Sequence, residues 1–502
     1  MSENNNLKSQ TIGGVIWKGL ERVSAQIVSA VVSIILARIL MPEDYSVVSI
    51  VTIFFTFCNI FISGGLNTAL IQKKDSDIFD YSTILFTNLI MASILYIVLF
   101  FCAPLIANLF EKDILVPVIR VMSLTFFVNS YKAVLSAKIT SDMKFKKFFW
   151  STLGGTIASA VVGIVMAVKG FGAWALVAQQ MTNVVIDSLI LSFTSQIKIK
   201  FVFSWNRFKP LFKFGGKIMV SSIINETYNQ VCPLIVGIKF SSIDLAYYNK
   251  GKTYPELIAS VGNDTLSSSL FPAMSKVQDD KEKILLMTRR FIQLSSFFVF
   301  PLMIGFFAVS ENFVHVLLTD KWLPIVPYLM IFCISEMFKP IQTGNLQAIK
   351  AIGRSDVFLV LEIVKKTLYL VVILLFVFLT NKPILLALSS IIISLIASLV
   401  NTFPNRKLLK YGYKKQFADL ALNFVTAAVM GVAVFFMKYI PINSIILLVL
   451  QIVTGITFYF GFAYLTRNKN LLYLLNMLKV FLSNRKNKKQ NKNRCINSGG
   501  QK

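Results

Sequence analysis

The sequence predicts an all-α polytopic membrane protein of about fourteen transmembrane helices, built as two six-helix lobes plus two C-terminal helices, with both termini cytoplasmic. Three observations carry this. Hydrophobic residues make up 55% of the 502 and charged residues only 15%, and the mean hydropathy is +0.67, well outside the range of soluble domains. Continuous apolar runs of spanning length recur along the whole chain, without the alternation of a membrane β-barrel. The loops between them alternate in charge, which sets an orientation.

The spans fall at approximately 11–39, 46–71, 82–106, 114–138, 149–169, 172–194, 211–238, 250–273, 290–310, 323–349, 356–380, 383–403, 417–439 and 442–466. Residues 1–10 form a polar cytoplasmic leader, and no small-residue cleavage site follows the first apolar run, so the first span reads as a retained signal anchor. The lobes are 11–194 and 211–403, joined by a basic cytoplasmic linker at 195–210, with spans thirteen and fourteen within 417–466. From 467 to 502 a leucine-rich stripe, Leu471 to Leu482, precedes Arg485-Lys486-Asn487-Lys488-Lys489. Such a segment lies on anionic lipid as an interfacial helix.

Of the 51 Lys and Arg, 35 fall on one side, in loops such as Lys73-Lys74, Lys144/Lys146/Lys147 and Arg406/Lys407/Lys410, and 9 on the other. The positive-inside rule places the basic loops and both termini in the cytoplasm, which an even span number allows. The net charge of +27 is therefore topological, and nucleic acid is not an expected partner. The opposite loops are short, and no outer domain exists to hold an active site. The five cysteines are scattered and read as small apolar residues. His315, the single histidine, excludes a histidine-based metal site or proton relay. No nucleotide, nucleophile or zinc motif is present, so no enzymatic activity, cofactor or metal is expected.

The chain reads as internally duplicated. Phe214-Gly215-Gly216-Lys217-Ile218 echoes Ile12-Gly13-Gly14-Val15-Ile16, and Asp244…Tyr247-Tyr248 falls opposite Glu43-Asp44-Tyr45. Two six-span copies that both begin at the cytoplasm are parallel repeats about an axis normal to the membrane, the arrangement in which cargo sits between lobes.

Charges inside the spans point to function. Arg22, Arg120, Lys132, Glu226, Glu336, Lys339, Glu362, Lys365 and Lys366 lie within apolar segments. Each costs roughly 2.5–3.5 kcal/mol at a bilayer centre, so nine unrelieved charges would exceed the roughly 5–15 kcal/mol net stability of an ordinary protein. They must face water, one another or a charged cargo. Arg22 shares a helix face with Trp17 and Gln26. Span seven carries Asn225, Glu226, Tyr228, Asn229 and Gln230 ahead of Pro233, which should loosen the helix there. Asn225 and Asn229 serve equally as interhelical polar contacts. Span ten places Glu336 and Lys339 at i, i+3, with Gln342 and Asn345 continuing the face. Span eleven allows Glu362 an i, i+4 pair with Lys366, leaving Lys365 over. Internal pairing and cargo binding both remain open for these sets. Arg120 lies near an outer end, where it can snorkel to headgroups. Glu226, Glu336 and Asp187 are the candidates for proton or sodium coupling, Asp187 being also readable as a hydrogen-bonded carboxylate near the interface. The positive bias of the set suits phosphate or acidic sugars. Gly154-Gly155, Ser159 and Gly163 form a small-residue stripe suited to close helix packing.

Gly13-Gly14-Val15-Ile16-Trp17 before Arg22, Leu36-Ala37-Arg38-Ile39-Leu40-Met41-Pro42-Glu43-Asp44-Tyr45, Gly64-Gly65-Leu66-Asn67-Thr68-Ala69-Leu70-Ile71-Gln72-Lys73 and Ala246-Tyr247-Tyr248-Asn249-Lys250-Gly251 resemble bacterial polysaccharide exporters. The group is the Wzx-like repeat-unit flippases of O-antigen, colanic acid and teichuronic acid, within the multidrug/oligosaccharidyl-lipid/polysaccharide superfamily. The resemblance implies a two-lobed, MATE-like rocking transporter in the bacterial cytoplasmic membrane. It implies that an undecaprenyl-diphosphate-linked oligosaccharide is moved to the outer leaflet for surface polysaccharide synthesis. Basic cavity residues would hold the diphosphate or acidic sugars, and Arg22 is the position carried over first. The resemblance also implies a monomer in contact with membrane lipids and with polysaccharide polymerase and chain-length machinery. A cation-coupled drug antiporter of the same superfamily is the alternative, and it wants an acid-rich cavity. A polymerase or ligase would want a large outer loop.

Overall fold

The computed structural model describes residues 2–73, 76–142, 144–195, 202–275 and 277–473, with the side chains of 2–16, 18–20, 22, 261, 262, 264–266, 268, 269, 271–273, 275 and 355 outside that description. Regular structure among the described residues is wholly helical. The helices are α1 (Ser2–Ile39), α2 (Pro42–Ser63), α3 (Leu66–Gln72), α4 (Ile78–Leu109), α5 (Leu115–Ser123), α6 (Thr125–Ser141), α7 (Lys146–Val168), α8 (Ala173–Ser195), α9 (Trp205–Lys239), α10 (Ser242–Ser275) and α11 (Lys281–Phe313). After a π turn (Val314–Leu318) and a 3-10 turn (Asp320–Ile325) follow α12 (Val326–Glu336), α13 (Lys339–Ala351), α14 (Ser355–Leu379), α15 (Pro383–Leu408), α16 (Tyr413–Phe436) and α17 (Ser444–Leu465).

Ten segments among the described residues are long and apolar enough to cross a membrane. Three of them are broken: α2/α3 at Gly64-Gly65, α5/α6 at Leu124 and α12/α13 at Met337-Phe338. α1, α9, α10 and α14 are helical over the other expected segments, each with charged residues along its length. Some helices start well before the expected boundaries, α9 at Trp205 rather than 211 and α10 at Ser242 rather than 250. The large apolar side chains that remain exposed, such as Phe193, Phe378 and Leu465, are those a bilayer would solvate.

Packing is closest where side chains vanish. A Cβ on Gly65 would fall 2.0 Å from the Gly215 carbonyl oxygen, and one on Gly215 would fall 2.8 Å from the Gly65 oxygen. The α3 and α9 backbones therefore touch directly, which only glycine permits. The small-residue stripe on α7 does the same work against α8. A Cβ on Gly155 would meet the Asp187 Cβ at 3.0 Å, and one on Gly163 the Gln179 Cβ at 3.0 Å.

The chain divides into two compact units. The first comprises Met1–Leu257, Leu317–Leu329 and Lys366–Ser390. Its core includes Leu66, Leu70, Tyr81, Ile84, Val134 and Leu211. At the basic-loop end Asp77 caps α4, accepting from the Asp80 amide at 3.0 Å. Fully buried Asp80 pairs with Lys73 at 2.6 Å and Arg207 at 3.3 Å, and Arg207 also bonds Asp77.

The second unit comprises Ile258–Val316, Met330–Lys365 and Ile391–Lys502. It is held by buried amides. Asn345 donates to Thr402 at 3.2 Å and Gln416 at 3.0 Å, and Asn405 donates to Asn345 Oδ1 at 2.8 Å, tying α13 to α15 and α16. Arg289 forks onto Asp419 with bonds of 2.8 and 2.7 Å, while Tyr411 and Gln293 donate to the same carboxylate. Such networks are the expected cohesion of helices in lipid, where apolar packing alone supplies no hydrophobic drive.

Candidate functional site

The intramembrane charges are largely paired at short range. Lys132 on α6 meets Asp187 on α8 at 2.5 Å, with Asp187 buried and its other oxygen without a hydrogen-bond partner. This joins two residues that the sequence left separate, one as cargo ligand and one as coupling carboxylate, because nothing in their spacing shows that α6 and α8 meet. Lys339 pairs with Glu336 at 2.9 Å, as the i, i+3 spacing predicts. Glu362 pairs with Lys365 at 2.6 Å, i, i+3, rather than with Lys366 as expected. The ammonium of Lys366 instead lies 5.1 Å over the ring of Tyr228, which edges onto Tyr369 at 6.1 Å. Glu226, on the same helix as Tyr228, accepts from Gln230 at 2.6 Å and Asn229 at 3.4 Å. Arg120 stacks 4.0 Å over Phe100 and reaches its carbonyl at 3.4 Å. Gln342 and Asn345 serve as interhelical polar contacts, to Ser394 and to the amide network. Arg22 lies on α1, with its side chain outside the described residues, as do Lys74, Lys198, Lys200 and the tail from 474 onward.

Among the described residues, the partners of these charges are local to each unit. In the first unit the structure assembles a different centre, around Lys250. Lys250 is only 7% exposed. Its ammonium donates to Ser33 Oγ at 2.8 Å and lies 4.4 Å from the Tyr45 ring centre, 5.6 Å from Tyr254 and 5.7 Å from Trp322. Among the described residues it has no carboxylate partner. Trp322 is fully buried, packs edge-on against Tyr45 at 5.1 Å and donates its indole N–H to the Ala37 carbonyl at 2.8 Å. Beside it Lys321 bonds the Arg38 carbonyl at 2.8 Å, and Arg38 bonds the Leu317 carbonyl at 2.9 Å. The C-terminal turn of α1 and the start of α2 are thus fastened to α10 and to the 317–325 connector. That connector is strained: Thr319, a β-branched residue, has φ of 77°.

Hydropathy places Lys250 at the first residue of its span, where cations snorkel, so nothing in the sequence marks it as buried. Starting α10 at Ser242 puts it two turns inside the helix. Tyr254 follows it by one turn of α10, but Ser33, Tyr45 and Trp322 come from three distant segments, and the one available signal was the lysine within Ala246–Gly251.

Next to this centre lies a cavity of about 350 Å³ between α1, α2, α7 and α8. It shares Ser33 and Tyr45 with the Lys250 cluster and is otherwise lined by neutral polar groups and a few aliphatics. The second unit has an apolar groove of about 440 Å³ between α11, α16 and α17, walled by Phe297, Pro301, Met430, Val434 and Phe460. No group of three or more His, Cys, Asp or Glu suited to a metal ion occurs among the described residues.

Residues 35–327 match the family described as "Polysaccharide biosynthesis protein". The chain is 26% identical over 69% of its length to an uncharacterized membrane protein in the cps region of Klebsiella pneumoniae, covering 72% of that protein. It is 21% identical to the lipopolysaccharide biosynthesis protein WzxC of Escherichia coli strain K12, covering 73% of this chain and 75% of that one. With the succinoglycan biosynthesis transport protein ExoT of Rhizobium meliloti strain 1021 it shares 24% identity over 71% of this chain and 72% of the relative. The fold is that of the lipid II flippase MurJ in an inward closed conformation, with a TM-score of 0.74 at 17% identity, covering 91% of this chain and 99% of MurJ. An inward-facing multidrug transporter of the MATE family aligns with a TM-score of 0.60 at 14% identity, covering 79% and 100%.

Proposed function

This chain belongs to the polysaccharide biosynthesis protein family, and we propose that it flips an undecaprenyl-diphosphate-linked oligosaccharide from the cytoplasmic to the outer leaflet by alternating access. The observation that carries the reading is Lys250: a cation withdrawn from water into an apolar bundle and held by rings and a hydroxyl, with no carboxylate partner among the described residues. Such a residue in a membrane marks a cargo or ion path. Its missing counterion is an anion, which a lipid diphosphate supplies. Lys366, also held by a ring, adds a second positive group, while Lys132, Lys339 and Lys365 are neutralised within the protein. The cavity beside Lys250 has no acidic lining residue, which is the wrong chemistry for a cationic drug. The apolar groove between α11, α16 and α17 offers a wall compatible with a polyprenyl chain.

In this reading α1, α9, α10 and α14 cross the membrane together with the ten apolar segments, giving fourteen spans with both termini cytoplasmic. The repeats 11–194 and 211–403 act as the two lobes, and 417–466 forms an added pair. The Lys250 cluster lies on the side away from the basic loops and closes the outer end. Arg22, Glu226, Asn229 and Glu336 serve as further cargo ligands in this reading, with Glu226, Glu336 or Asp187 available for ion coupling. The protein works as a monomer alongside a polymerase and chain-length machinery.

The test is genetic and biochemical. Deleting the gene in a strain without a paralogue should abolish the surface polysaccharide and accumulate its lipid-linked repeat unit on the cytoplasmic leaflet. Arg22→Ala at normal protein level should reproduce part of that defect. Intact surface polysaccharide in the deletion strain would refute the proposal.

A further inference from the structure

The cavity between α1, α2, α7 and α8 has a chemistry of its own. Ser29, Thr156, Gln179, Gln180 and Asn183 line it, and none of them is ionisable. Gln179 and Gln180 make no side-chain hydrogen bond among the described residues, although Gln179 is half-buried, and as consecutive residues of α8 both line the cavity wall. Asn183 donates one long side-chain bond, to Ser159 at 3.4 Å, and its side-chain oxygen has no partner among the described residues. Free amide donors and acceptors beside an aromatic ring, here Tyr45, are matched by a ligand rich in neutral hydroxyls. A phosphate would find no cation among the lining residues, and a lipid tail would strand the amides.

The position of the cavity adds a second argument. Ser33 lines it and also accepts the Lys250 hydrogen bond, and Tyr45 lines it and also carries the ammonium on its ring. A ligand whose hydroxyls compete for Ser33 therefore loosens the group that fastens α10 to α1. Anion and neutral sites are contiguous, which is the order of groups in a glycan attached through a diphosphate.

We propose that this cavity is a subsite for a neutral sugar of the cargo, with Gln179, Gln180 and Asn183 bonding its hydroxyls and Lys250 facing the diphosphate. The subsite rests on the flippase reading and goes beyond it by placing the glycan in the first unit rather than among the intramembrane charges. The volume, about 350 Å³, holds one or two hexose rings.

The experiment uses full-length protein in nanodiscs and two synthetic probes, undecaprenyl diphosphate alone and undecaprenyl diphosphate bearing one neutral hexose. Binding is read by quenching of tryptophan fluorescence. Wild type should bind the hexose-bearing lipid about tenfold more tightly, a factor of about 1.4 kcal/mol. Gln180→Ala, which removes an exposed amide without opening the core, and Ser29→Phe, which fills the space, should each erase most of that difference and leave the bare diphosphate bound as in wild type. Loss of affinity for both lipids in equal measure, or a hexose increment unchanged in both variants, overturns the subsite. Failure of wild type to bind either lipid overturns the flippase reading itself, and the subsite with it. Size-exclusion profiles identical to wild type establish that each variant is folded.

Discussion

Lys250 donates a 2.8 Å hydrogen bond to Ser33, joining α10 to α1 across 217 residues of sequence. Around that bond the first unit collects three aromatic rings and a buried indole N–H bonded to the chain at Ala37. The arrangement explains how a cation survives in a low-dielectric interior. Ring faces and a hydroxyl replace part of its hydration, at up to about 2 kcal/mol for a desolvated ring contact. Among the described residues no carboxylate pairs with it.

The Lys132–Asp187 pair joins α6 to α8. Replacing Lys132 with Ala leaves a buried carboxylate unpaired, which should lower stability by about 1–3 kcal/mol, below the roughly 3–5 kcal/mol of a fully buried pair because Lys132 is partly exposed. Lys132→Met with Asp187→Leu should recover most of the loss. Thermal unfolding of the purified variants in detergent measures both, and a Lys132→Ala variant as stable as wild type would show that the pair contributes nothing.

Gly65 cannot be replaced. Gly65→Ala forces its methyl into the Gly215 carbonyl and should cost about 1–3 kcal/mol or more, with a matching fall in folded yield. Gly461→Ala is the control, since nothing lies within 4 Å of a Cβ there, and the helix should be unharmed or slightly stabilised. Equal behaviour of the two variants would contradict the close approach of α3 and α9.

The cluster at the start of α4 is acid-sensitive. The Arg207 guanidinium beside Asp77 holds its carboxyl below the usual carboxylate range. A depressed carboxylate contributes its stability above the unfolded value of about 3.9 and loses it as pH falls through the folded value. The difference in melting temperature between wild type and Arg207→Ala should therefore be constant from pH 7 to about 5 and shrink below about pH 4. A difference that persists undiminished at pH 3 would exclude Asp77 as its source.

Much of this was legible in the sequence, for reasons that differ by element. The apolar segments follow from hydropathy alone, since a helix in lipid must be apolar on its outer face. The α7 stripe was readable because close approach needs small side chains wherever the partner lies, and α8 proved to be that partner. Glu336–Lys339 was readable because both residues lie on one helix. Lys132–Asp187, the Gly65–Gly215 contact and the Lys250 cluster were not, since each depends on which distant segments pack together. Span boundaries misled most at α10. Its polar beginning, Ser242 to Asn249, lowers the local hydropathy, so the predicted span begins eight residues late, at Lys250 itself.

The central claim is that a positive charge at residue 250 serves translocation of an anionic lipid-linked glycan. Its most direct test is a flipping assay in proteoliposomes loaded with the lipid-linked oligosaccharide extracted from cells lacking this gene. Wild type, Lys250→Met and Lys250→Arg are compared at equal reconstituted protein. The account predicts that Lys250→Met falls to the rate of protein-free vesicles while Lys250→Arg retains a measurable part of the wild-type rate. Translocation by Lys250→Met at the wild-type rate would contradict it.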